Sequence, residues 1–483
     1  MALIISSCVI VVLCALIAVL LIVLLVQVVA ACLPQSRMTR LQSKASLDRI
    51  QGSHRPRIAV MVPAHNEALG IRETLDSLRP QLVDGDRLLV VADNCSDTTA
   101  AIALDAGAEV IERSDPNCLG KAYALDYGVK HLANTPSPGE GHYTPAPEVL
   151  IIIDADCRTG AGAISCLASA CAISGRPVQA LYLMSAASDP RSLESTYRAL
   201  AGFAWILKNQ VRPLGSARIG LPCQLMGSGM ALPWPALQFV SLASGNLVED
   251  CQLGLDFARF GLLPLFCPQA LISSRFPNGP EGRRGQRRRW EHGSLSMLIF
   301  GIPRFLAEIV SPARKDHVAG PNQASNEATN GVFHKTSSSI FNCRPTVQLT
   351  SGSTIDGLPR PEMGAIAGRQ PKAALSIGLL AMVLDLCVPP IALLTLMVIA
   401  IFALAVAQFW WLDDSMLPLF VAGFDAFLLS LAVGMAWFRF GREAVSLGRL
   451  LLSPAYAVAK LPLYGSFIWR RQLVWMGTKR DEK

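Results

Sequence analysis

Two carboxylates, Asp154 and Asp156, close the run Glu148-Val-Leu-Ile-Ile-Ile-Asp-Ala-Asp-Cys-Arg158. Val149 to Ile153 is wholly apolar, the pattern of a strand buried on both faces of a parallel sheet. Side chains alternate along a strand, so residues 154 and 156 are expected to point the same way. Paired acids at the C-terminal end of such a strand lie where open α/β sheets bind ligands. They can hold a hard divalent cation, which usually shares its shell with substrate phosphates. The plain alternative is a solvated Asp-x-Asp turn.

The elements that position this pair are legible on both sides of it. Arg57 to Val62 predicts a strand, followed by Pro63-Ala-His-Asn-Glu67, and Ile71 to Leu78 has helical spacing. Asp86 to Ala92 predicts a second strand, ending in Asp93-Asn-Cys-Ser-Asp97. Asp97 can cap a helix over Thr98 to Ala106, which Gly107 stops. Val110-Ile111 is a third, short strand, and Gly120-Lys121 opens a helix over Ala122 to Leu132. This β-α-β-α-β alternation predicts a doubly wound, mostly parallel α/β sheet. Glu67, Asp93, Asp154 and Asp156 then gather at the strand ends. Further on, Val178 to Met184 predicts a strand and Tyr197 to Val211 a helix. Gln224 to Met230 reads as a glycine-rich turn, and Glu249-Asp250 opens a helix over Cys251 to Phe260. Gln286, Arg289 and Trp290 share one helical face.

The chain has 483 residues, is 51% hydrophobic and carries a net charge of +7. That profile predicts a soluble domain joined to membrane segments. The mild positive charge suits loops at a membrane face better than a nucleic-acid groove. Thirteen cysteines show no Cys-x-x-Cys pair, and seven histidines no metal-ligand spacing, so the thiols read as reduced and cytoplasmic.

Ala2 to Leu33 holds no charge and exceeds the ~20 residues that span a bilayer. Val29-Ala-Ala-Cys32 resembles a lipoprotein cleavage site, but no Lys or Arg precedes the apolar run. Ile391 to Trp411 and Leu417 to Trp437 read as two further spans, joined by an acidic turn at Asp413-Asp414. With three spans every basic cluster falls on one side, the cytoplasmic one, and the acidic turn on the other. Leu375 to Val388 carries Asp385 and reads as an interfacial helix; a fourth span there would upset the charge pattern. Leu450 to Trp469, interrupted by prolines and Lys460, reads the same way.

The ordered set Pro63-Ala-His65-Asn-Glu67, Val91-Ala-Asp93, Gly120-Lys121, Asp154-Ala-Asp156, Glu249-Asp250 and Gln286-x-x-Arg289-Trp290 resembles the family 2 glycosyltransferases of the cellulose synthase and hyaluronan synthase type. Each motif alone is common; six in order between membrane segments are not. The resemblance covers about Arg57 to Glu291 and reaches into the C-terminal spans. It implies a GT-A fold, a nucleotide-diphosphate-sugar donor, a divalent metal (Mg or Mn) and inversion at the anomeric carbon. The implied organisation is a transmembrane helix over 1–33, a basic cytoplasmic linker over 34–56 and a GT-A domain over 57–294. An interfacial helix over 295–310 and a disordered insertion over 311–372 follow. The C-terminal membrane region covers 373–438, and an interfacial helix with a basic cytoplasmic tail covers 439–483.

The resemblance assigns Asp156 to the metal directly, and Asp154 to the metal or the ribose. Pro63, His65, Glu67 and Asp93 are expected around the nucleoside. Lys121 is expected at the diphosphate, where a helix start favours anions, or is otherwise a solvated lysine. Asp250 is the expected general base, taking the proton of the acceptor hydroxyl. Its place at a helix start would lower its pKa and nearby phosphates would raise it. Arg289 can fork onto phosphate or acceptor, and Gln286 offers an amide. Trp290 can stack on a sugar or anchor at the membrane interface. Gly227 and Ser228 are expected beside the acceptor.

The acceptor that the resemblance implies is a growing polysaccharide or a lipid-linked glycan. Gln-x-x-Arg-Trp favours a processive synthase; three spans are few for a translocating channel, and favour a lipid-linked acceptor, an oligomer or separate exopolysaccharide-export partners. A nucleotidyltransferase making nucleotide sugars would need a glycine-rich basic loop after its first strand, where this chain has acidic Pro63 to Glu67. A non-catalytic membrane protein binding only nucleotide or lipid would not need Asp154, Asp156, Asp250 and Arg289 together.

Overall fold

The computed structural model describes residues 2–34, 55–135, 146–185, 193–243, 248–276, 279–310, 372–412 and 416–469. Nearly all of the linker expected over 34–56 and of the insertion expected over 311–372 lies outside these residues, as does the tail after Trp469.

The chain opens with helix α1 (Ala2–Cys32). Strand β1 (Ile58–Ala64), helix α2 (Ile71–Leu78), β2 (Arg87–Asp93), α3 (Thr99–Asp105), β3 (Glu109–Arg113), α4 (Lys121–Asn134) and β4 (Val149–Ile152) follow as the sequence pattern predicts. Next come β5 (Arg158–Thr159), α5 (Ala163–Ser174), β6 (Val178–Ser185), α6 (Leu193–Ile206), α7 (Arg212–Arg218), β7 (Met230–Pro233), α8 (Glu249–Arg259) and β8 (Leu265–Arg275). The C-terminal third holds α9 (Pro280–Ser296), α10 (Ile302–Val310), α11 (Lys372–Cys387), α12 (Ile391–Leu412) and α13 (Leu417–Ala436). It ends in short helices α14 (Leu447–Leu450), α15 (Ser453–Val458) and α16 (Leu461–Trp469).

The strands form one sheet in the order β3-β2-β1-β4-β7-β6-β8-β5. Pairing is parallel from β3 to β4 and between β6 and β8; β7 and the edge strand β5 run the other way. The sheet is therefore mixed, mostly parallel and wound on both faces. Alternation explains why. Val60, Val62, Val149, Ile151 and Ile153 face α2, α3 and α5, while Ala59, Met61, Leu150 and Ile152 face α4 and α8. At about 25 cal/mol per Å² of apolar area buried, such two-sided strands anchor the domain.

Parts of this architecture differ from the sequence pattern, β5 and α5 among them. β7 occupies the end of what reads as a glycine-rich turn. β8 is absent from the pattern because Pro268 and Gln269 interrupt it; its pairing with β6 shifts register there, as a strand must where proline offers no N–H. The boundary expected at 294/295 falls inside a continuous helical run, since α9 passes through a π-turn, Met297–Gly301, directly into α10.

Among the described residues, three helices are long and apolar enough to cross a membrane: Ser7–Cys32, Ile391–Trp411 and Leu417–Gly441. In the first, Ile10, Cys14, Ile17, Leu21, Leu24, Val28 and Ala31 form one buried stripe at three- and four-residue spacing. Val12, Leu16, Val19, Ile22 and Val26 on its other side are exposed. The stripe packs on α13, α12 and α7. Gly215 in α7 is required there, because a Cβ would stand 1.9 Å from the Gln27 carbonyl oxygen of α1. Helix α11 has 16 residues, short of the ~20 that span a bilayer. Its Asp385 is paired to Arg212 at 2.7 Å and accepts from Gln27 Nε2 at 2.7 Å.

Candidate active site

The C-terminal ends of β1, β2 and β4 open on one cleft of about 440 Å³. Pro63, His65, Glu67, Asp93, Lys121, Asp154, Asp156, Gly227, Asp250, Gln286, Arg289 and Trp290 all line it. Of the residues singled out in the sequence, only Ser228 is missing from that wall.

Asp154 and Asp156 converge, but not by strand alternation. β4 ends at Ile152, and Asp154 to Cys157 is a tight turn in which the Cys157 N–H donates to the Asp154 carbonyl at 3.0 Å. Carboxylate oxygens of both acids and the Cys157 sulfur lie within 4.8 Å of one another. Burial pushes the Cys157 thiol well up, and the two acids push it further, so it stays protonated. Asp156 accepts from the Ser274 hydroxyl at 3.1 Å, which fixes one of its oxygens.

Lys121 is not solvated. Its ammonium is paired to Asp154 and donates to the Gly227 carbonyl at 2.6 Å. Burial works against that charge, but Asp154, Glu249 and Asp250 outweigh it and hold the pKa above the usual lysine value. Two of the three ammonium N–H groups are thus held by the protein. Burial in turn raises the Asp154 carboxyl, against Lys121.

Gly227 stands between this pair and Asp250. Its φ of +87° is left-handed, and a Cβ there would lie 3.3 Å from Asp250 Oδ2 and 3.8 Å from Lys121 Nζ. Asp250 and the Asp154 turn therefore face one another across a single glycine. Asp250 Oδ1 accepts its neighbour Cys251's N–H at 2.9 Å. Burial, followed by Asp250, pushes Glu249 up to about 7. Ser228 differs from expectation: it is fully buried, and its hydroxyl accepts the Asp154 N–H at 3.1 Å. It braces the acidic turn from beneath and does not line the cleft.

The loops after β1 and β2 hold each other. Asn66 and Asn94 take left-handed φ values of 54° and 50°, which asparagine tolerates. Asn66 Oδ1 accepts the Ser96 N–H at 2.8 Å, and Thr99 Oγ1 accepts the Glu67 N–H at 2.8 Å. His65 Nδ1 lies 2.8 Å from the Asp93 carbonyl, which can only accept, so Nδ1 carries the proton. Asp93 is 3% exposed and paired to Arg113 at 2.6 Å, its direct neighbour across β2 and β3.

Sequence reasoning missed Arg113. Its signal was present, as opposite charges at the ends of two adjacent strands, but needed the register. It also missed Trp205, whose ring lies 4.6 Å from that of Trp290 and which carries Phe276 and Tyr182 edge-on. Trp290 thus sits in an aromatic cluster on the cleft wall. Behind it, Glu291 is paired to Lys460 and accepts from Tyr464 at 3.1 Å, fastening α9 to the C-terminal helices.

Comparison with known proteins gives a consistent picture. The family model described as glycosyl transferase family 2 matches residues 59–168, and that described as glycosyl transferase family group 2 matches residues 149–437. An uncharacterized glycosyltransferase of Rickettsia typhi is 32% identical over 82 residues, which are 17% of this chain and 26% of that protein, so the chain spans about a quarter of that relative. Among solved structures, a mannosyltransferase from Pyrobaculum calidifontis in complex with GDP-Man and Mn2+ is 14% identical, with 95% of this chain and 100% of that chain covered and a TM-score of 0.45. Glucosyl-3-phosphoglycerate synthase from Mycobacterium tuberculosis in complex with Mn2+, UDP and phosphoglyceric acid is 22% identical, with 51% and 81% covered and a TM-score of 0.31. The family group 2 match alone takes in more than half of the chain, and the protein belongs to glycosyl transferase family group 2.

Proposed function

We propose that this protein is a membrane-bound, inverting glycosyltransferase with its catalytic domain on the cytoplasmic side. It moves a hexosyl unit from a nucleotide diphosphate sugar, UDP-linked, to a polysaccharide or lipid-linked acceptor. The observation that carries this reading is the convergence of Asp154, Asp156, Asp250, Gln286, Arg289 and Trp290 on one cleft.

Asp250 takes the proton of the acceptor hydroxyl as its oxygen forms the new bond to the anomeric carbon. The bond from that carbon to the diphosphate breaks on the opposite face, and the nucleoside diphosphate leaves with the electron pair. Arg289 and Gln286 donate to the diphosphate or to acceptor hydroxyls. Trp290, held by Trp205, offers a ring face to the acceptor sugar. Pro63, His65 and Glu67 wall the nucleoside pocket, and Asp93, fixed by Arg113, presents a static acceptor to the base. Lys121 positions Asp154.

The donor set at the acidic turn fits a hard divalent ion such as Mg2+ or Mn2+: two carboxylates converge, and the neighbouring thiol stays neutral. Asp156, with Asp154, would hold it. Such an ion, when bound, offsets the negative charge of the departing diphosphate.

Incubating membranes that contain the full chain with a panel of radiolabelled nucleotide sugars, then sizing the product, tests the reading. One sugar nucleotide should be consumed and its label transferred. A chain that binds and consumes none of them is not acting as this enzyme.

A further inference from the structure

One arm of the cleft carries buried amides that have no role in the steps above. Beyond Gly227 it runs along α6 and α7 to the apolar helices. A π-turn, Leu207–Val211, joins those two helices, and such turns recur at functional sites. It carries Asn209, which is 1% exposed and lines the cleft; its Nδ2 has no hydrogen-bond partner among the described residues. Gln224, three residues before Gly227, is 9% exposed and also lines the cleft. Its Nε2 donates to the Met382 carbonyl of α11 at 3.0 Å, while its Oε1 is left without a partner. An unmade hydrogen bond on a buried amide is costly, and a donor and an acceptor left open in one cleft suit a hydroxyl, which can serve both. Arg212, which also lines this part of the cleft, is paired to Asp385. Past these amides the wall turns apolar: Leu24 of α1, Leu386 of α11, Val388 and Pro389 after it, and Ile391 at the start of α12. α1 and α12 are two of the helices long enough to cross a membrane.

We infer that this inner arm is the acceptor subsite, and that the acceptor is a glycolipid with an uncharged sugar head. The head hydroxyls sit on Asn209 and Gln224, and the alkyl stem lies along Leu386, Val388 and Ile391 towards the bilayer. A water-soluble sugar gains nothing from that apolar wall. The inference rests on the glycosyltransferase reading and chooses the lipid-linked acceptor over the free polysaccharide.

The test uses the full chain in lipid nanodiscs, with donor binding measured first and turnover second. Acceptors are the methyl and decyl glycosides of one sugar. The decyl compound should show a KM about a hundredfold lower, the gain from burying about three or four methylenes. Asn209→Leu should raise the decyl glycoside's KM about tenfold. Leu386→Trp, which narrows the arm but keeps it apolar, should raise the KM of the decyl and not the methyl compound; this separates seating in the arm from partition into lipid. Decyl phosphate should compete more weakly than decyl glycoside. If it competes better, the head is anionic and the roles of Asn209 and Gln224 fall. Equal KM values for methyl and decyl glycosides, with nucleotide sugar bound, overturn the inference alone. Absence of nucleotide-sugar binding overturns the enzyme reading and the inference with it.

Discussion

Replacing Lys460 with methionine would remove the ammonium that faces the Glu291 carboxylate behind Trp290. Methionine keeps the packing on the Tyr456 ring, over which the Lys460 Nζ lies at 4.9 Å. Both charged side chains are 9% exposed, so the lone carboxylate would be left almost without water. Breaking a buried pair from one side costs about 3–5 kcal/mol. The low end applies, because Tyr464 still donates to Glu291 Oε2 at 3.1 Å. About 3 kcal/mol corresponds to a fall in Tm of roughly 6–12 °C for a domain of ordinary size. Glu291→Gln together with Lys460→Met removes both charges and should return to within about 1 kcal/mol of the parent. Thermal unfolding in detergent of the parent, both single variants and the double variant closes the cycle. Turnover should follow the same order, because α9 carries Gln286, Arg289 and Trp290 and is pinned to α16 through this pair. Equal Tm values for Lys460→Met and the double variant would refute the reasoning, since the pair would then carry no coupling.

Arg113→Met strands the buried Asp93 carboxylate and should cost about 3 kcal/mol, with the donor KM raised; Arg113→Met with Asp93→Asn should recover most of the stability, as read by thermal unfolding. Glu249 has a pKa of about 7 in the folded chain against an ordinary 4.5. The folded state thus holds more protons across that window, and stability falls as pH rises from 4.5 to 7. Glu249→Gln should flatten that fall, by about 1–2 kcal/mol for a half-buried group, in a pH series of unfolding curves. Asp156→Ala should abolish divalent-dependent turnover, and a variant as active in chelator as the parent in Mg2+ would remove Asp156 from the metal role.

The first half of the catalytic domain is readable in the sequence because its strands are buried on both faces and its loops are short. β1, β2 and β4 appear as unbroken apolar runs, each ending in the polar group that reaches the cleft. β8 is not readable, because its pairing is kept by a bulge at Pro268 and not by its pattern. Among the site residues, those at strand ends are placed by the sequence. Those that act through a partner are not: Lys121 reads as a free cation until the fold brings Asp154 and Gly227 to it, and Ser228 reads as a cleft residue until it proves to lie beneath one. Arg113 and Trp205 belong to elements distant in the chain, so only register and helix packing bring them to Asp93 and Trp290. Asn209 has no sequence signal, because it takes a π-turn to turn an ordinary helical asparagine towards the cleft.

The most direct measurement pairs donor binding with transfer in Asp250→Asn. The substitution keeps size and most hydrogen bonds and removes the base. Equilibrium binding of the nucleotide sugar to the full-length variant should stay within about threefold of the parent, while label transfer falls by about 10²–10⁴. Transfer at the parental rate, with donor bound, would contradict the account.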